Sequence, residues 1–92
     1  MPRPRKCRRI RFDPKCIYFK PRGIPMNSLE EIILTMDEAE AIRLKDKEGL
    51  EQIKCAKKMN ISQSTFQRLL TSARQKIALA IIDGMAIKIE KI

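Results

Sequence analysis

Gln63, Ser64, Thr65, Gln67 and Arg68 fall within six residues and offer the chemistry of base-edge recognition. They supply amides and hydroxyls that both donate and accept hydrogen bonds, beside one guanidinium. No carboxylate interrupts them, and the first acid after Glu51 is Asp83. Phosphates repel carboxylates, so a polar stretch of this kind suits a helix end lying in the major groove of double-stranded DNA. Lys54, Lys57, Lys58, Arg74 and Lys76 flank it as candidates for phosphate contact.

Catalytic chemistry has little to work with. Histidine is absent, which removes the commonest general base and the commonest metal ligand. There is no glycine-rich phosphate loop, no nucleophile elbow and no carboxylate pair with a reason to be buried. The acids of residues 30–48 read as solvated helix faces. Cys7 and Cys16 are two thiols where a closed zinc site takes four ligands, so a metal would need Cys55 or a second copy of the chain. The cysteines are expected to act as small apolar residues, Cys55 beside a buried Ala56. The expectation is a chain that is not an enzyme, with no metal, no cofactor and no small-molecule substrate.

The elements that must position the polar stretch can be read from spacing. Leu50, Ile53, Ala56 and Met59 recur at three-residue steps and predict an amphipathic helix buried on that face. Asn60 tolerates positive φ and ends it, Ala56 allows a close crossing, and Ile61 anchors the turn in the core. Ser62 caps a long second helix whose buried stripe is Phe66, Leu69, Leu70, Ala73 and Ile77, leaving the polar residues outward in its first two turns. The pair predicts a helix-turn-helix. Upstream, Thr35 stands three residues before Glu38 as a capping box for a helix MDEAEAIRLKDKE, with Met36, Ala39, Ile42 and the Arg43 stem inward and Gly49 as its stop. Three helices are the minimum that encloses a core around a recognition helix.

The ends predict a small β element. Arg8 to Phe12 and Lys15 to Lys20 alternate apolar with polar about Asp13-Pro14. Ile10 and Phe12 share a face there, as do either Cys16 and Tyr18 or Ile17 and Phe19, so two registers are open. Lys20 to Pro25 reads as a loop, and Asn27 or Ser28 as the cap of a short helix through Leu29, Glu31 and Ile32. Asp83-Gly84 ends the long helix. After it Met85, Ile87 and Ile89 share one face of a terminal strand, which must pair with the N-terminal strand region or with a copy of itself.

Ninety-two residues make one small domain. Its formal charge of +9 is segregated: residues 1–23 hold nine basic side chains and one acid, 24–49 three and seven, 50–92 eight and three. A polyanion-binding surface with an acidic back produces that pattern. Residues 1–23 form a basic arm carrying one or two short strands, and residues 24–92 the helix-turn-helix domain with its C-terminal strand. In the arm, Pro2 and Pro4 hold Arg3 and Arg5 extended, as in minor-groove arms, and Lys6, Arg8 and Arg9 add phosphate contacts; the alternative is a solvated tail of general phosphate affinity. With no signal peptide, an odd cysteine count and no apolar run near the ~20 residues of a membrane span, the expected location is cytoplasmic, with no membrane contact.

Two resemblances follow from these residues. The span Leu34 to Ala80, with LTMDEAEAIRL, GLEQIKCAKKMNISQSTFQRLL and SARQKIALA, resembles region 4 of bacterial sigma factors. More closely, the whole chain resembles a family of small prokaryotic proteins described only as DNA-binding and of unknown function. The shared motifs are Met1 to Lys6, Phe12 to Pro14, Lys20 to Gly23 and Leu34 to Leu44. Here Asn60 stands where the family usually has Gly, and Gln52-Ile53-Lys54-Cys55 replaces a segment usually rich in Gln and Glu. The resemblance implies DNA binding. Some members carry a further C-terminal domain resembling nitrogenase-cofactor-binding proteins; none is expected here, and so neither is a metallocluster-sensing function.

The reading is thus a mainly α fold, a three-helix helix-turn-helix core with a basic arm and a small β element of N- and C-terminal strands, that binds double-stranded DNA as a transcription regulator. A second reading makes the module a protein dock, for polymerase or an antagonist, with only general nucleic-acid contact. RNA binding is a third, weakened by having only Tyr18 and three phenylalanines for stacking. A homodimer is expected, through either the strand Met85 to Lys91 or the apolar excess of Ile77, Leu79, Ile81 and Ile82; the alternative is a monomer in which these pack internally.

Overall fold

In the computed structural model, Ile10 and residues 17–90 are described. The protein is mainly helical with one small three-stranded sheet. Its elements are β1 (Tyr18–Phe19), β2 (Glu31–Thr35), α1 (Met36–Ile42), α2 (Gln52–Met59), α3 (Gln63–Asp83) and β3 (Ala86–Glu90). The sheet order is β1-β3-β2. β3 runs antiparallel to β1, with Tyr18 opposite Lys88, and parallel to β2, from Glu31 opposite Ala86 to Thr35 opposite Glu90. Parallel neighbours need a crossover connection, and all three helices lie within it.

Local signals place the helix ends. Thr35 accepts from the Glu38 backbone N–H while Glu38 accepts from the Thr35 N–H at 2.9 Å, a complete capping box for α1. α1 runs on through a π-helical turn, Arg43–Lys47, and stops before Gly49 at φ 75°. Asn60 ends α2 in the left-handed region, at φ 59° and ψ 46°, and the Ile61 N–H reaches back to the Ala56 carbonyl at 3.0 Å. Ser62 then accepts from the Thr65 N–H at 3.1 Å, and Gly84 at φ 68° closes α3. One apolar cluster, Ala41, Leu44, Cys55, Ala56, Met59, Phe66 and Leu70, lies between the helices. A second, Leu34, Ala39, Ala73 and Ile89, joins α1 and α3 to the sheet. Burial pushes the Cys55 thiol up, and it donates to the Leu50 carbonyl, as a small core residue does.

Four expectations are corrected. The helix expected after Asn27 or Ser28 is a single 3-10 turn, Met26–Ser28, followed by β2; Ile32 and Ile33 are β-branched, and β3 offers them a ladder. Ile53 faces out at 56% exposure, because α2 packs through Cys55, Ala56 and Met59. β3 is the central strand, paired on both edges, so it offers no edge to a second copy. Asp37, Glu38 and Glu40 are buried, not solvated. Glu40 accepts two bonds from the Arg43 guanidinium, at 2.8 and 3.0 Å. Glu38 accepts from the Ser72 hydroxyl at 2.5 Å and the Lys76 ammonium at 2.8 Å, pinning α1 to the middle of α3. Burial pushes the Glu38 carboxyl up, but hydrogen bonds from Lys76, Ser72 and the Thr35 N–H, with the Lys76 charge, outweigh it and hold the group below its ordinary value. The strand expected over Arg8 to Phe12 falls on residues of which only Ile10 is described. For the other strand region, β1 begins at Tyr18.

Candidate nucleic-acid interface

α2 and α3 meet through a turn of three residues, and the Ser62 cap sets where α3 begins. Phe66 and Leu70 are sealed in the core, which fixes the rotation of α3 and turns the opposite face to solvent. Gln63, Ser64, Gln67 and Arg68 lie on that face and are exposed. Thr65 does not fully join them: it is half-buried, and its hydroxyl accepts from Ser62 Oγ at 2.9 Å within the cap. Thr71, exposed and four residues beyond Gln67, takes its place, and Gln67 Nε2 donates to its Oγ1 at 3.1 Å. The four-residue helical step from Gln67 is the sequence signal that identifies it. Gln52, in the first turn of α2, donates from Nε2 to Gln67 Oε1 across the two helices.

The basic candidates divide into two groups. Lys54, Lys57 and Lys58 are exposed on α2 and, like Arg68, make no ion pair among the described residues. Lys57 and Lys58 also sit in the last turn of α2, where they complement the negative end of the helix. Arg74 and Lys76 are engaged within the protein. Arg74 grips Asp46 through Nε at 3.1 Å and Nη2 at 2.5 Å, and the guanidinium holds the Asp46 carboxyl below its ordinary value. Lys76 is the Glu38 partner already described. Arg3, Arg5, Lys6, Arg8 and Arg9, and with them Cys7 and Cys16, lie outside the described residues.

Acids are thus drawn off the α2–α3 face: Glu38 and Glu40 into the interior, Asp46 onto Arg74, and Glu48 toward Arg43 at 3.4 Å. Glu51, the N-cap of α2, is the acid that stays exposed beside that face. Hydrogen-bonding groups and free cations remain there, a surface suited to a polyanion. No helix among the described residues is long and apolar enough to cross a membrane.

The family model described as "Protein of unknown function DUF134" matches residues 1–91. The chain belongs to that family. It is 59% identical over 90 residues to a UPF0251 protein of Desulforudis audaxviator, covering 98% of this chain and 59% of that protein. A UPF0251 protein of Caldanaerobacter subterraneus subsp. tengcongensis is 60% identical, with 98% of this chain and 76% of the relative covered. One from Dehalococcoides mccartyi is 59% identical, with 98% and 77% covered. The chain therefore spans between about three-fifths and three-quarters of these relatives' lengths. No solved structure matches it.

Proposed function

We propose that this member of the DUF134 family binds double-stranded DNA in a sequence-specific manner through a helix-turn-helix formed by α2 and α3, and that it regulates transcription in the cytoplasm without catalysing a reaction. The observation that carries the reading is the solvent face of α3. Gln63, Ser64, Gln67, Arg68 and Thr71 are exposed there with no carboxylate among them, and Lys54 and Lys57 are exposed on α2. Polar side chains at the start of the second helix read base edges, and lysines on the first helix meet phosphates. The basic arm of residues 1–23 adds general affinity.

A single helix end reads few base pairs, and regulators of this kind present two copies about 34 Å apart. The C-terminal turns of α3 support a homodimer, because Leu79, Ile81 and Ile82 are exposed, the last two at 70% and 80%. Selection from random duplex DNA tests the reading. A defined motif, bound at physiological salt more tightly than micromolar, is expected. Enrichment of no motif would overturn it.

One observation favours the docking alternative: Ile53, a large apolar side chain of α2, is 56% exposed. A stoichiometric protein partner, lost on changing Ile53 to Asp and combined with a shallow salt dependence for DNA, would reverse the ranking.

A further inference from the structure

Gln52 lies outside the residues whose spacing marks them for base recognition, yet its amide reaches from α2 to α3. It donates to Gln67 Oε1, while Gln67 Nε2 donates to Thr71 Oγ1 at 3.1 Å. The Gln67 amide is therefore held at both ends. A glutamine free to turn about its last bond presents its carbonyl and its amino group interchangeably and distinguishes bases poorly. Here the two contacts hold the amide with its oxygen toward α2 and its nitrogen toward the next turn of α3, and turning it over requires the Gln52 amide and the Thr71 hydroxyl to exchange roles together. A side-chain carbonyl accepts twice and an amino group donates twice. One acceptor position and one N–H thus remain open on Gln67. That pair is the complement of the N6 amino group and N7 of adenine in the major groove.

We propose that Gln52 is a positioning residue for DNA recognition, locking Gln67 in the orientation that pairs with adenine. The inference rests on the DNA-binding reading above and adds to it the base that is read and the side chain that makes the reading selective. Holding the amide before DNA arrives also lowers the entropy lost on binding.

The test uses the whole chain and a duplex from the selection, with each A·T pair changed in turn to G·C. Gln67→Ala should abolish the preference at one A·T pair, a change of roughly tenfold. Gln52→Ala should weaken the preference at that same pair several-fold, leave affinity for random duplex DNA within about twofold, and add nothing to Gln67→Ala. Gln52→Lys keeps a donor against Gln67 Oε1 and should keep the preference. Gln52→Glu offers only acceptors, turns the amide round and should lose it. If Gln52→Ala weakened all duplexes alike, or altered a different base pair, or if Lys and Glu behaved the same, Gln52 would not act through Gln67. A motif that Gln52→Ala leaves unchanged overturns this inference alone, whereas a wild-type chain that enriches no motif overturns the DNA-binding reading with it.

Discussion

Replacing Glu38 should cost the protein a large part of its stability, although sequence spacing places this residue on a solvated helix face. Its side chain is 7% exposed and ties α1 to α3 through Lys76, Ser72 and the Thr35 N–H. Removing one partner of a buried ion pair costs about 3–5 kcal/mol. Lys76 keeps 29% of its side-chain surface in water, so its orphaned charge is partly rehydrated and the lower end, about 3 kcal/mol, applies. A chain of this length has roughly 5–14 kcal/mol in all, and each kcal/mol moves the midpoint by about 4–8 °C. Glu38→Ala should therefore lower the melting temperature, followed by circular dichroism, by about 12–24 °C. Glu38→Gln, which keeps one acceptor oxygen for the Thr35 N–H and turns its amino group, a donor, toward the Ser72 hydroxyl, but loses the charge opposite Lys76, should lose about half as much. The pH dependence adds a second readout. Because the folded carboxyl titrates below its ordinary value of 4.5, its stabilising contribution is whole above that pH and is lost as pH falls through the folded value. Glu38→Gln should flatten the acid limb below about pH 4.5. A loss under about 1 kcal/mol, as for an exposed acid, with an unchanged acid limb, would refute the reasoning.

Other substitutions separate the remaining claims. Asn60→Val, at φ 59°, should destabilise by about 1–2 kcal/mol in urea unfolding, and Asn60→Gly should be neutral or better. Asp46→Asn removes an exposed bridge with little stability effect, under about 1 kcal/mol. It also frees Arg74, so duplex affinity should rise and the salt slope steepen by about one phosphate contact. Ile81→Asp should convert a dimer to a monomer in sedimentation equilibrium without lowering the melting temperature, because Ile81 is 70% exposed. A dimer indifferent to Ile81→Asp would put the interface elsewhere.

What the sequence made legible is what neighbouring residues decide. The capping box of Thr35 and Glu38, the left-handed Asn60, the Ser62 cap and the Gly84 stop all depend on contacts within four residues, and each stands where spacing put it. β2 was hidden because its partner, β3, lies at the far end of the helices, so Ile32-Ile33-Leu34 carried no periodic signal of its own. The buried acids were hidden for the same reason, since Ser72 and Lys76 lie 34 and 38 residues beyond Glu38. Ile53 faces out because uniform three-residue steps fall short of the 3.6-residue turn and walk around the helix, whereas α2 buries Cys55, Ala56 and Met59. On the candidate interface, the outward set was legible from the 3.6-residue period except at Thr65, which the Ser62 cap draws inward. The Gln52 contact joins two helices and leaves no trace in local spacing.

The most direct test of the central claim is a nuclear magnetic resonance titration of the labelled chain with its selected duplex, followed at the glutamine side-chain and backbone amides. The account predicts that the largest shifts fall on Gln63, Ser64, Gln67, Arg68 and Thr71, with smaller ones at Lys54 and Lys57, while the sheet residues Ile33, Ile87 and Ile89 stay in place. Shifts centred on the sheet or on Leu79, Ile81 and Ile82, with the α3 face unmoved, would contradict it.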